Sequence, residues 1–148
     1  WLLRQGHRRI AFFNPVHAEE TIRDPDVHFH VRDRFGGYEQ VMHDAGLSPR
    51  LLCRPETMSE EASITAYPMD FLDGPDAPTA ILCHSPAALN RLLMAVAARE
   101  ALGRPAPRVM LFTHSADDRA DVDLTKIVIP HREVGRLATE MLARRIAE

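Results

Sequence analysis

Apolar and polar positions in this chain fall into two alternating patterns. Short, nearly continuous apolar runs are separated by longer stretches in which apolar residues return every three or four positions. The first pattern marks strands covered on both faces, and the second marks helices with one covered side. Residues 8–13 form the first run, stopped by Asn14-Pro15 and preceded by a helix end over 1–5 that Gly6 closes. Phe35, Tyr38, Val41, Met42 and Ala45 stand at helical spacing and predict a helix from Asp33, its N-cap, to Gly46. Residues 50–54 read as a short strand, and Ser59 caps a helix over 60–72 that Pro68 kinks or shortens. Residues 79–83 have the unbroken apolar character of a central parallel strand. Ser85-Pro86 starts the next helix, a side-chain cap followed by proline at the first helical position, with Leu89, Leu92, Leu93, Val96 and Ala97 as its buried stripe. Two more strands, 109–112 and 126–129, precede a final amphipathic helix over 133–147 with Val134, Leu137, Ala138, Met141, Leu142 and Ile146 on one side.

Strands alternating with helices imply right-handed βαβ units, hence an α/β fold with a parallel sheet and helices on both faces. The polar stretch from 16 to 33 breaks the rhythm. It is long for a loop inside a compact domain, and loops of that length usually have a functional reason. Within it Val27-His28-Phe29-His30-Val31 alternates, which predicts a brief strand.

Composition narrows the picture. The 148 residues suffice for one α/β unit with a real core and hardly for two independent domains. A net charge of −3 and an isoelectric point near 6.2 supply no basic footprint, so DNA contact through this stretch is not expected. Cys53 and Cys83 are the only cysteines and form no CxxC pair, which suits buried thiols in a reducing compartment better than a disulfide framework. No apolar run has the length of a membrane span and no signal peptide precedes the first strand. Trp1 in place of methionine suggests sequence lying upstream, and a cytoplasmic location is expected.

Open parallel sheets bind ligands beyond the carboxyl ends of their strands. Here those ends carry Asn14-Pro15 with the long loop behind it, Thr57-Met58, His84-Ser85 and Thr113-His114-Ser115, while Arg34 starts a helix at the same edge. A cationic fork, hydroxyls, imidazoles and a thioether can hold a polar small molecule without acting on it chemically.

Gly6-His7-Arg8-Arg9-Ile10-Ala11, and Arg34-Phe35-Gly36-Gly37-Tyr38 followed by Ala45-Gly46-Leu47, are similar to the GHRRIA segment and the RxxGY…AGL helix of LacI-type transcription regulators. Pro78-Thr79-Ala80-Ile81 resembles their PTAI strand. Leu124-Thr125-Lys126-Ile127 through Pro130, then Gly135 to Ala138, resembles their LTTV…P…GxxA crossover. The resemblance implies a periplasmic-binding-protein-like sensing domain of two α/β lobes, with a sugar or related metabolite held between them. On this reading residues 1–13 and 127–148 are parts of a first, partial lobe and 14–126 form a nearly complete second lobe. DNA would be bound by a helix-turn-helix headpiece not included in this stretch, the protein would work as a homodimer, and no membrane would be involved. A periplasmic sugar-binding protein of a transporter, which shares the fold, is the alternative.

The resemblance also nominates ligand-binding residues. Arg34 matches the arginine that grips ligand hydroxyls or carboxylates in the family, as a planar set of donors suits; the bland alternative is a solvated helix-start arginine. Ser85 and Pro86 stand where the family has Asn and Asp, and Ser85 serves as an N-cap in any case. Thr113 and His114 replace the Asp pair of the GFDD segment, which weakens the expectation of an ordinary sugar. Met58 occupies a position often filled by an aromatic stacking residue, though a loop-end core role suits it as well.

Eight histidines are many for this length, and His17, His28 and His30 gather in the long loop. His28-x-His30 has the form of a strand-borne metal pair, but no complete set of further ligands follows it, so neither a metal nor a cofactor is expected. No GxSxG elbow is present and no enzyme activity is expected.

Overall fold

A computed structural model describes residues 1–26, 29–115 and 124–147. Its five strands are β1 (Ile10–Asn14), β2 (Arg50–Cys53), β3 (Ala80–Cys83), β4 (Arg108–Thr113) and β5 (Thr125–Val128). The helices are α1 (Glu19–Arg23), α2 (Phe29–Asp44), α3 (Glu60–Ala66), α4 (Leu89–Ala101) and α5 (His131–Ala147). All strand pairs are parallel and the order across the sheet is β2-β1-β3-β4-β5.

Side-chain parity divides the core into two layers, because successive strand residues point to opposite faces. Odd-numbered Ala11, Phe13, Ile81, Cys83, Val109 and Leu111 pack with Leu72 and with Leu89, Leu92 and Val96 of α4. Even-numbered Ile10, Phe12, Ala80 and Met110 pack instead against Ile22 of α1 and Val31, Phe35, Tyr38 and Met42 of α2. Helices on both faces of a parallel sheet are thus present as expected. Tyr38 ties the second layer to the sheet: its hydroxyl donates to Ile10 O (2.8 Å) and accepts from Arg50 N (2.8 Å), joining α2 to β1 and β2.

Several elements differ from the expectation. Glu19–Arg23 is helical inside the stretch read as a loop; Ile22, buried under the sheet, supplies the anchor and Glu19 and Glu20 the favourable charges of a first turn. Phe29 and His30, expected in a brief strand, open α2 four residues before Asp33, because burying Val31 on the sheet outweighs the local alternation. Val27 and His28 lie outside the described residues. Ser59 caps α3 through Ala62 N (3.2 Å), whereas α3 stops at Ala66 ahead of Pro68 and a separate turn covers Asp70–Leu72. Ser85 has extended N-cap backbone with Pro86 next, yet its side chain makes no capping bond, and the chain passes through a 3₁₀ turn at Pro86–Ala88 before α4 begins.

The lobe boundaries expected at 13/14 and 126/127 fall inside β1 and β5, and β1 is hydrogen-bonded along both sides, to β2 and to β3. α5 stands apart from both layers. Its apolar stripe is open, with Val134 57%, Met141 69% and Ile146 84% exposed. None of the described helices is long and apolar enough to cross a membrane.

Candidate functional site

Because every strand runs the same way, Asn14, Cys53, Cys83, Thr113 and Val128 share one edge. From β1 the chain crosses to β2 on one side, and from β3 to β4 on the other. The two connections leave a crevice between them at the ends of β1 and β3, where Asn14 and His84 stand.

Both residues are even-numbered and face the α1/α2 layer. Asn14 is fully buried; its Oδ1 accepts from His17 Nδ1 (3.2 Å) while its Nδ2 has no partner among the described residues. His84 is only 3% exposed, held by its own N–H donating to Phe13 O (2.9 Å). Its ring stacks on His30 (centroids 5.6 Å apart, planes 17° apart) and meets His17 edge-on at 6.0 Å. Nδ1 of His84 is buried and has no hydrogen-bond partner among the described residues. Burial, reinforced by Arg34, His30 and His17, pulls the His84 pKa down to about 3, so the ring is neutral at neutral pH. Burial also lowers the His17 pKa, against the attraction of Glu60.

Arg34 reaches this cluster from the second turn of α2. Nη1 donates to the His84 carbonyl (2.9 Å), and the guanidinium lies 5.4 Å over the Phe112 ring. Among the described residues Nε is buried without a hydrogen-bond partner, and burial depresses the Arg34 pKa. The neighbouring Asp33 pairs with Arg32 (3.2 Å) instead.

A cleft of about 520 Å³ opens at this edge, lined among others by Phe29, His30, Arg34, Phe112 and His131. A larger depression of about 760 Å³ lies beside Arg108, Val109 and Thr125, at the starts of β4 and β5 and therefore at the opposite edge. It holds none of the unpartnered buried polar atoms. The strand-end cleft is the better candidate.

The residues nominated from sequence separate under this geometry. Arg34 lines the cleft. His114 is exposed, with its ring 4.6 Å from that of His131, which lines the cleft. Thr113 is buried at odd parity on the α3/α4 side of β4, with its hydroxyl 3.4 Å from Ser115 O. Ser85 is half-buried, its carbonyl accepting from Cys83 Sγ (3.2 Å). Met58 is half-buried in the loop before α3, where its carbonyl accepts from Arg54 Nη1 (2.7 Å). Asn14 and His84 were noticed in sequence only as strand-end residues. Their parity with Phe12 and Leu82 was the available signal. Among the described residues, no group of three or more His, Cys, Asp or Glu is arranged to hold a metal ion.

The model of the periplasmic binding protein-like domain matches residues 1–148. The chain belongs to that family. Solved structures with the same architecture include a protein described as a ribose operon repressor from Burkholderia thailandensis, with 26% identity and a TM-score of 0.55. A protein described as a LacI-family transcriptional regulator from Rhizobium etli is 22% identical with a TM-score of 0.66. A LacI family regulator from Arthrobacter sp. FB24, in complex with lactose, is 19% identical with a TM-score of 0.56. Each alignment covers 99% of this chain and 50–51% of the other, so the chain spans about half the length of these neighbours. No curated protein matches it. The LacI-type resemblance read from the motifs agrees with these periplasmic-binding-protein-like neighbours.

Proposed function

We propose that this chain is the effector-sensing part of a LacI-type transcription regulator, taking a small polar molecule into the cleft that α2 forms with the carboxyl ends of β4 and β5. The observation that carries the reading is the set of buried, unpartnered polar atoms at that edge: Asn14 Nδ2, Arg34 Nε and His84 Nδ1. Leaving a buried polar atom without a partner costs roughly 1–3 kcal/mol, which favours a further hydrogen-bonding partner at this edge, and Arg34 is the one of the three that lines the cleft. Arg34 and His114 contact the effector, while Thr113, Ser85 and Met58 support the loops around it.

The open stripe of α5 supports a second lobe packing there, since such a contiguous apolar face is normally covered. The lobe division that suits the sheet takes the described residues from Ile10 to Val128 as one lobe, with α5 given to the other. Ligand held between the lobes would change their closure and so bias DNA binding by a headpiece, a hinge mechanism that needs different contacts in two states. Pairing of two copies is part of the reading, with the exposed Met94 of α4 and Leu102 just beyond its end as candidate contact residues.

A thermal-shift screen of the intact protein against sugars, nucleobases, amino acids and organic acids tests this reading. At least one class raises the melting temperature, and Arg34→Ala abolishes the rise. A screen without a hit, or a hit indifferent to Arg34→Ala, refutes it. Release of operator DNA by the same hit separates a regulator from a transporter's binding protein.

A further inference from the structure

We infer that the molecule taken by this cleft carries a flat aromatic ring, lying between the bare backbone of Gly37 on α2 and the side chains of Phe112, Ile129 and His131 across from it. The inference rests on the sensing role proposed above and narrows its ligand.

The α2 wall of the cleft is shaped for a flat group. Phe29, Asp33 and Gly37 recur every four residues and so form one stripe of the helix, and all three line the cleft. Phe29 holds the open end of the stripe, with 63% of its surface exposed. Asp33 turns its carboxylate to Arg32 (3.2 Å). At Gly37 a side chain would enter open space: among the described residues, no heavy atom beyond its own stretch of helix lies within 4 Å of where a Cβ would stand. Glycine weakens a helix interior, and it leaves backbone that a flat group can approach closely.

The facing wall carries rings and apolar surface. Phe112 packs with the α1/α2 layer, and one planar group already lies on it: the Arg34 guanidinium, 5.4 Å from the ring centroid. Ile129 follows β5, and His131 is the first residue of α5. A ligand ring held against His131 and Phe112 touches α5 and the sheet together, on either side of the two-residue link at Ile129 and Pro130. That is the contact a hinge mechanism requires of its ligand.

Chemistry separates a ring from a sugar here. An aromatic ring presents two apolar faces and confines its polar atoms to the rim, and contacts between rings contribute beyond the area they bury. Phe29, Phe112 and His131 supply faces or edges for such contacts, while Gly37 and Ile129 supply flat or apolar surface. Sugar hydroxyls find no hydrogen bond on the carbon surfaces of Phe29, Phe112 and Ile129, and covering them there is unfavourable. Thr113, which stands in place of an Asp of the GFDD segment, is buried on the α3/α4 side of β4 and does not line the cleft.

Matched pairs of probes that differ in aromaticity test the inference: benzamide against cyclohexanecarboxamide, and benzoate against cyclohexanecarboxylate, titrated into the intact protein at pH 7.5 and followed by NMR. The aromatic member of each pair is expected to bind about 3- to 10-fold more tightly, the range for a ring contact beyond its buried area. Phe29→Leu keeps an apolar side chain at an exposed position and lowers that ratio. Gly37→Leu puts a good helix former on the wall, so it abolishes aromatic binding while raising the melting temperature, which excludes misfolding as the cause. If Gly37→Leu lowers the melting temperature instead, the Phe29→Leu ratio decides. Saturated partners that bind as well as the aromatic ones, a ratio unchanged in Phe29→Leu, or no binding by either aromatic probe overturns the ring assignment. A sugar hit in the wider thermal-shift panel then leaves the sensing role standing, and an empty panel overturns that role itself.

Discussion

Replacing His84 by phenylalanine removes a buried neutral imidazole, and with it a measurable part of the protein's sensitivity to acid. In the folded protein the His84 pKa is drawn down to about 3 from the usual 6.5, chiefly by burial and then by Arg34, His30 and His17. The unfolded chain therefore takes up a proton near pH 6.5 that the folded chain refuses until far lower. Stability from this group is complete above pH 6.5 and declines as the pH falls from there toward 3. Between pH 7.5 and 5.0 the loss spans about 1.5 pH units at 1.36 kcal/mol each, or about 2 kcal/mol. The parent should thus lose about 2 kcal/mol more than His84→Phe over that interval. Urea unfolding at the two pH values, followed by circular dichroism, measures it. With a slope of about 2 kcal/mol per M, the difference amounts to about 1 M in the change of midpoint. A difference under about 0.5 kcal/mol, or an NMR titration placing the His84 ring near pH 6.5, would refute the reasoning.

Three further outcomes follow from the fold. Tyr38→Phe leaves Arg50 N without its acceptor and Ile10 O without its donor, and should cost about 1–3 kcal/mol in urea unfolding; a change below 0.5 kcal/mol would mean that the bridge between α2 and the sheet is replaced by water. Phe12, fully buried amid Phe35, Tyr38, His84 and Phe112, should lose about 3–5 kcal/mol on truncation to alanine, read as a lowered melting temperature. Ser59→Ala should cost about 1 kcal/mol because its hydroxyl caps α3, whereas Ser85→Ala, which removes no cap bond, should stay within about 0.5 kcal/mol. Equal costs at the two serines would contradict the assigned caps.

The short local signals were accurate where one residue decides its own neighbourhood. Gly6 and Gly46 end their helical segments at φ of 90° and 67°, a conformation open to glycine at little cost. Ser59 caps, and Pro68 stops α3 early, each through bonds made within a few residues. Signals that competed with burial were less dependable. The alternation at 27–31 gave way to the helix that buries Val31, and Val41, counted in the covered stripe of α2, is 53% exposed. α5 has an amphipathic face just as its spacing predicts, but what covers that face is not encoded in its periodicity.

Alternation of apolar runs and helical spacing by itself determined that this chain forms a parallel sheet between two helical layers, because each element must bury its own apolar side. Its motifs likewise determined the family, and singled out Arg34. The tertiary structure alone decided which strand ends meet. Strand order is a choice among long-range pairings that no local window contains, and it placed β1 beside β3 so that Asn14 and His84 became neighbours. Thr113, the last residue of β4, is buried on the α3/α4 side, whereas His114, just past the strand, is exposed. Desolvation did the rest: burial, a property of the whole fold, left Asn14, Arg34 and His84 with polar atoms that have no hydrogen-bond partner among the described residues.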